Sequence, residues 1–113
     1  MVSEYRPMQG DIVLVRYLST LGREDYDERP GLIISNDKLS ETTPFVWIVP
    51  ISSGKYFHPF HVNLNHYTRT RGTILLEQQL SIDYFYHKLT FVEKLPQNLL
   101  DEVLHLLTLI ASQ

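Results

Sequence analysis

Arg29-Pro30-Gly31-Leu32-Ile33-Ile34-Ser35-Asn36-Asp37 is the stretch around which the chain is organised. A charged loop meets a proline, becomes a short apolar strand and ends on turn-forming residues. Proline fixes its own φ and disfavours helix in the residue before it, so Arg29 sits on extended backbone at a defined point. The run Leu32 to Ser35 predicts a strand, and Asn36-Asp37 tolerates the left-handed turn that would end it.

Upstream, Gln9-Gly10-Asp11 opens a run from Asp11 to about Tyr17. Its β-branched and large apolar residues are too continuous for a half-exposed strand and predict burial on both faces. Leu18 to Glu28 carries Ser, Thr, Gly and five charges without alternation, and is expected to be a loop. That is long against the usual median of ~4–6 residues.

Downstream, Lys38 to Pro44 is expected to be a second polar loop, and Phe45-Val46-Trp47-Ile48-Val49 a central strand. Pro50 cannot donate a ladder bond, so Ile51 to Gly54 should bend away from the sheet. Val62 to Leu64, Thr73 to Leu76 and Lys88 to Glu93 read as further short strands, and Ser81-Ile82-Asp83 as a cap or turn before the aromatic cluster Tyr84-Phe85-Tyr86. Pro96 suits the first turn of a helix running to about Ala111, with Asp101 and Glu102 early in it, where the dipole favours anions. Leu99, Val103, Leu106 and Ile110 form one apolar row on that helix and Leu100, Leu104 and Leu107 a second. Such a stripe is wider than one packing seam needs, so part of it is expected to face another subunit. Many short strands with one terminal helix make an α+β, mainly β single domain, an antiparallel sheet or small barrel.

The 113 residues suffice for one core, and 43% hydrophobic and 20% charged residues describe an ordinary globular chain. The absence of cysteine excludes a disulfide scaffold, a thiol nucleophile and thiolate-held zinc. Glu4, Arg6 and Pro7 stand where a signal peptide needs an apolar segment, and no apolar run approaches the ~20 residues that span a bilayer, so a cytoplasmic location is expected. A net charge of −3 is not the footprint of a protein that holds nucleic acid with its whole surface. A groove needs only local charge, which Arg16, Arg23, Arg29, Lys38, Lys55, Arg69 and Arg71 can supply.

In order and spacing, "GDIVLV" from Gly10, Gly22-Arg23-Glu24 followed by Arg29-Pro30, "LIISND" from Leu32, "VPISS" from Val49, "LLEQ" from Leu75 and "SID" from Ser81 resemble the MazF/PemK family of toxin endoribonucleases. The resemblance runs from about Gln9 into the last helix and implies an SH3-like barrel (CcdB/PemK-like), a homodimer, and a cognate acidic antitoxin of the MazE/PemI kind. It implies that Arg29 cleaves RNA, that Ser52 stands where the family has a catalytic Thr or Ser, and that Glu77 and Gln78 face RNA or the paired subunit. Glu24, Ser53, Lys55 and His58 complete the expected RNA-binding set. Where the family often has a Gly-rich loop, this chain has Asp25-Tyr26-Asp27-Glu28.

Each of these residues also has a plainer reading. Arg29 can pair with local acids, Ser52 can cap the turn after Pro50, and Glu77 and Gln78 can be a polar strand end. His58 and His61 are tempting as a metal pair, yet no metal-binding pattern surrounds them. No Gly-rich phosphate loop, nucleophile elbow or paired-carboxylate signature is present. What the residues permit is phosphodiester cleavage without a cofactor, by positioning and electrostatics, with RNA supplying its own 2′-hydroxyl nucleophile. Arginine stays protonated, so Arg29 suits charge stabilisation or acid duty, and a base would be a histidine, a carboxylate such as Glu24, or water. A non-catalytic toxin of the CcdB kind, which binds DNA gyrase, and an inactive interaction module are the rival readings.

Overall fold

Strand β1, Asp11–Leu18, lies between two apolar layers because successive side chains of a strand point to opposite faces. Ile12 joins Leu32, Val49, Ile51 and Ile74 on one face, under Leu99, Leu100 and Val103 of the C-terminal helix. Val13 and Val15 join Ile33, Val46, Ile48 and Ile82 on the other, with Tyr5 and Tyr84 packed against them. Both layers are buried, as the continuous apolar run requires. Each such side chain contributes roughly 1.5–3 kcal/mol on burial, and β1, like β2 and β3, supplies both cores.

The computed structural model describes residues 5–18, 26–54 and 58–112. After β1 come β2 (Tyr26–Ile33), α1 (Asp37–Thr42), β3 (Phe45–Ser52), β4 (His61–Asn63) and β5 (Thr73–Leu75). A 3-10 turn (Leu76–Gln78) then leads to β6 (Leu80–Asp83), β7 (Leu89–Lys94) and α2 (Gln97–Ala111). The sheet runs β4-β5-β3-β2-β1-β7, with β6 also paired to β3, and every pairing is antiparallel. This mainly antiparallel sheet with a C-terminal helix is the expected fold class. Terminal α2 and the short strands β4, β5 and β7 stand within a residue or two of where the sequence sets them, and central β3 begins at Phe45 as expected but runs three residues further, to Ser52.

Five local expectations are corrected. Tyr26 to Glu28, expected as loop, belong to β2, because their backbone pairs with Arg16 to Leu18, and Arg29 stands inside a strand. Asn36 keeps extended backbone (φ −70°, ψ 163°) and caps α1, its side chain accepting from Lys38 N at 3.0 Å. Capping, not a left-handed turn, is thus its role, and Lys38 to Thr42 is helix, not loop. Leu80 to Asp83 is a strand paired with Phe45 to Ile48, where polar Ser81 and Asp83 hid the alternation. Ile51 and Ser52 remain strand after Pro50, but on a new partner, β5.

Asp11 anchors the lead-in. Only 3% exposed, it accepts from Lys94 Nζ at 2.5 Å, from Met8 N at 3.0 Å and from the Tyr5 hydroxyl. Burial, and then the Asp11 carboxylate, push the Tyr5 phenol well above its ordinary range. On the far side of the sheet Gly72 adopts φ +130°, and a Cβ there would stand 2.2 Å from the Ser52 carbonyl oxygen and 3.3 Å from Ile51 Cγ2. Only glycine lets the β4–β5 connection lie that close to β3. Gly72→Ala is therefore expected to destabilise by ~1–3 kcal/mol, lowering Tm by roughly 4 °C or more. Thermal denaturation followed by circular dichroism measures this, and an unchanged Tm would show that the contact is not a constraint.

Candidate nucleic-acid interface and active site

The site forms where β2 and β3 part. β2 pairs with β1 along its length, but with β3 only at Ile33↔Ile48, Leu32↔Val49 and Gly31↔Pro50. Continued two places further, that register would set Arg29 opposite Ser52. The ladder stops at Pro50, which has no N–H, while Ile51 and Ser52 pair with Ile74 and Thr73 of β5 along the edge of β3 opposite β2. Arg29 and Ser52 are thereby left on the two banks of a gap.

One cleft of about 360 Å³ is lined by Val15, Arg29, Gly31, Ile48, Pro50 and Gln78, with Pro30 and Leu80. A second, of about 390 Å³, is lined by Ser52, His61, Leu75, Glu77 and Gln78. Gln78 lines both, so the clefts adjoin at its amide. Gly31 keeps the floor low: a Cβ there would meet Ile48 Cδ1 at 2.7 Å and Cγ1 at 2.9 Å.

Arg29 is exposed, directly across from Val15 of β1, and so rises from the rigid centre of the sheet. Half-buried Ser52 donates from its hydroxyl to the Ser53 carbonyl at 3.3 Å, a long bond readily exchanged for a ligand oxygen. Ser53 is exposed beside it. Behind both, the buried Thr73 hydroxyl lies 2.8 Å from the Gly54 carbonyl and 2.6 Å from Asn63 Oδ1, tying the end of β3 to β4 and β5. Gly72 and Thr73, which hold the end of β3 in place, are residues that the sequence reading passed over. The only signal was a glycine and a hydroxyl at the head of an apolar run.

His61 and Glu77 meet across the second cleft, with Nε2 at 3.0 Å and 3.1 Å from the two carboxylate oxygens. Partial burial alone would raise the Glu77 pKa, but the hydrogen bond from His61, helped by the local backbone and Gln78, outweighs it and holds the carboxyl below its usual range. His58 lies nearby, its ring 4.8 Å from that of His61 and its Nδ1 accepting from Phe60 N at 3.2 Å. Among the described residues no group of three or more His, Cys, Asp or Glu is placed to hold a metal ion. Of the expected site residues, Arg29, Ser52, Ser53, Glu77 and Gln78 thus gather around the two clefts with His58 at their edge. Glu24 and Lys55 lie outside the described residues. Tyr84 is held by its hydroxyl donating to the Ser40 carbonyl at 2.7 Å, whereas Phe85 and Tyr86 are exposed and so not part of the core.

A forked guanidinium, a hydroxyl and an amide around a preformed cleft suit an oxyanion with several acceptor oxygens. No helix is long and apolar enough to cross a membrane among the described residues.

Comparison with known proteins agrees with this geometry. Residues 8–111 match the family described as the PemK-like, MazF-like toxin of type II toxin-antitoxin systems. The endoribonuclease PemK of Escherichia coli is 31% identical over 106 residues, 90% of this chain and 80% of that protein. The endoribonuclease toxin MazF of E. coli K12 is 33% identical over 82 residues, 73% of each. Among solved structures, a MazE–MazF complex from Deinococcus radiodurans superposes with a TM-score of 0.84 at 24% identity, covering 97% of this chain and all of that one. A mycobacterial endoribonuclease in complex with its cognate antitoxin gives 0.71 at 15% identity, covering 95% and 99%. With the family match over residues 8–111 and the PemK relative aligned along 90% of this chain, the chain belongs to the PemK-like, MazF-like family of type II toxin–antitoxin toxins.

Proposed function

We propose that this chain is a sequence-selective, metal-independent endoribonuclease that cuts single-stranded RNA, messenger RNA foremost, and so inhibits translation and growth. The observation that carries the reading is the gap between β2 and β3, with Arg29 on one bank, Ser52 on the other and Gln78 common to both clefts. The E. coli relatives named as endoribonucleases support it.

In this mechanism the substrate's 2′-hydroxyl gives its proton to a base, a histidine, a carboxylate such as Glu24 or water, and attacks the adjacent phosphorus, and the bond to the 5′ oxygen of the next nucleotide breaks. Arg29 stabilises the charge that builds on the pentavalent phosphate and delivers a proton to the departing oxygen. Ser52 holds a non-bridging oxygen, Ser53 stands beside it, and Gln78 and ionised Glu77 face the flanking nucleotides. The products are a 2′,3′-cyclic phosphate and a 5′-hydroxyl. Such a reaction draws on electrostatic positioning for most of its rate.

Arg29→Ala is expected to lower the rate by on the order of 10²–10³, and Ser52→Ala by less, because a neutral hydrogen bond is weaker than a charge-assisted one. Arg29→Lys keeps the charge but loses the fork, and stays strongly impaired. The check is end-group analysis of RNA cut in EDTA by wild type and the variants. A 3′-hydroxyl product, a metal requirement or full activity in Arg29→Ala would overturn the mechanism. RNA left intact by wild type would favour a non-catalytic toxin acting on a protein target.

We also assign a homodimer, because Leu109 and Ile110 at the end of α2 are exposed and Leu104, Leu106 and Leu107 are only partly covered. Exposed Phe85 and Tyr86 extend the apolar surface available to a second copy. Sedimentation at micromolar concentration is expected to show a dimer, and a persistent monomer would contradict it.

A cognate antitoxin with an acidic, partly disordered segment is expected to fold across the Arg29 cleft in competition with RNA. The Deinococcus structure named as a MazE–MazF complex supports such a partner. Inhibition of cleavage by the product of a neighbouring gene tests this, and neighbours without effect would count against it.

A further inference from the structure

The connection from β4 to β5 is built more firmly than its length and polarity require. Leu64 N donates to the Gly72 carbonyl at 2.9 Å, closing the loop at its neck. Inside it, the Asn65 side chain accepts from Tyr67 N at 3.0 Å, and the Asn65 carbonyl accepts from Thr68 N at 3.2 Å. One flank is fastened to β7: Glu93 accepts from Arg69 N at 3.0 Å, from Thr70 N at 2.7 Å and from the Thr70 hydroxyl at 2.8 Å. Arg69 Nη2 donates to the Val92 carbonyl at 2.8 Å, so that guanidinium is committed to the sheet.

The opposite flank carries what a structural loop has no use for. Tyr67 is 72% exposed, its ring centroid 4.1 Å from that of His66 at an interplanar angle of 38°. Arg71 is exposed and makes no hydrogen bond or ion pair among the described residues. His66 and Arg71 share a cleft of about 330 Å³ with Gly54, Leu64, Asn65 and Gly72, and Tyr67 stands against His66 at its edge. Gly54 lies in the bend two residues past Ser52, and Gly72 rests on the Ser52 carbonyl.

We propose that this loop is an accessory subsite for single-stranded RNA, in which Tyr67 and His66 stack an unpaired base and Arg71 takes its phosphate. The inference rests on the ribonuclease reading for the direction of the strand, which passes from the Arg29–Ser52 gap over Gly54 and onto the loop. A pinned loop loses little freedom on binding, and an aromatic face accepts any base, so the subsite adds affinity without adding sequence choice. An acidic peptide could pair with Arg71, but it has no use for the flat face of Tyr67.

The test is fluorescence anisotropy with a labelled single-stranded 2′-O-methyl RNA of mixed sequence, which a 2′-hydroxyl mechanism cannot cut. Tyr67→Ala is expected to raise Kd about tenfold, while Tyr67→Phe keeps wild-type affinity. Arg71→Ala should reduce the slope of log Kd against log salt by about one. Circular dichroism confirms that the variants are folded. Unchanged Kd in both alanine variants, a Tyr67→Phe protein as impaired as Tyr67→Ala, or loss of acidic-peptide binding with RNA binding intact would each overturn the subsite. Cleavage of ordinary RNA by wild type, assayed alongside, separates the two claims. Binding that depends on Tyr67 in a protein that cuts nothing would remove the ribonuclease reading alone, and cutting with Tyr67-independent affinity would remove the subsite alone.

Discussion

β3 cannot keep one set of neighbours along its length. At Pro50 the backbone has no hydrogen to give, and directly across from it Gly31 has no side chain, so that Ile48 can lie over β2. The two residues end the β2 ladder together, while along its opposite edge β3 passes from β6 to β5. An unclosed gap inside a sheet would ordinarily expose unpaired backbone groups, a liability that folds cover or exploit. Here its rim carries a guanidinium, a hydroxyl and an amide. The constraint that shapes the sheet is thus the one that creates the site.

The scaffold behind the gap is correspondingly rigid. Val15, across from Arg29, belongs to one of the three strands that supply both cores. Ser52 is backed by glycine at one contact and by the Thr73 hydroxyl network at another. Neither side chain depends on a mobile segment for its place, which is the condition for electrostatic catalysis without reorganisation. Ionic support is local too. Glu77 is held below its usual carboxylate range chiefly by His61, and Glu93, which burial alone would raise, is likewise held low by the backbone and hydroxyl groups of Arg69 and Thr70.

Elements governed by continuous apolar patterning were legible in the sequence. β1 and β3 show it as runs, and α2 as a stripe behind Pro96. Elements held by pairing rather than burial were not. Tyr26 to Glu28 are strand because β1 lies beside them, and Ser81 and Asp83 because β3 does. α1 is a single short helix fastened by Asn36 and by Asp37, whose side chain accepts from Gln9 N at 2.8 Å, a contact between residues far apart in the chain. The site divides in the same way. Arg29, Ser52, Glu77 and Gln78 are found by motif order, whereas the His61–Glu77 contact and the backing of Ser52 by Gly72 arise only when separate strands are brought together.

If the parting of β2 and β3 is the active site, a scissile phosphate belongs between its banks. The most direct measurement is a crystal structure of the chain with a short RNA whose nucleotide 5′ of the cut lacks its 2′-hydroxyl. The account predicts that phosphate within hydrogen-bonding distance of both the Arg29 guanidinium and the Ser52 hydroxyl, with Gln78 alongside. A phosphate seated elsewhere, with the Arg29 cleft empty, would contradict it.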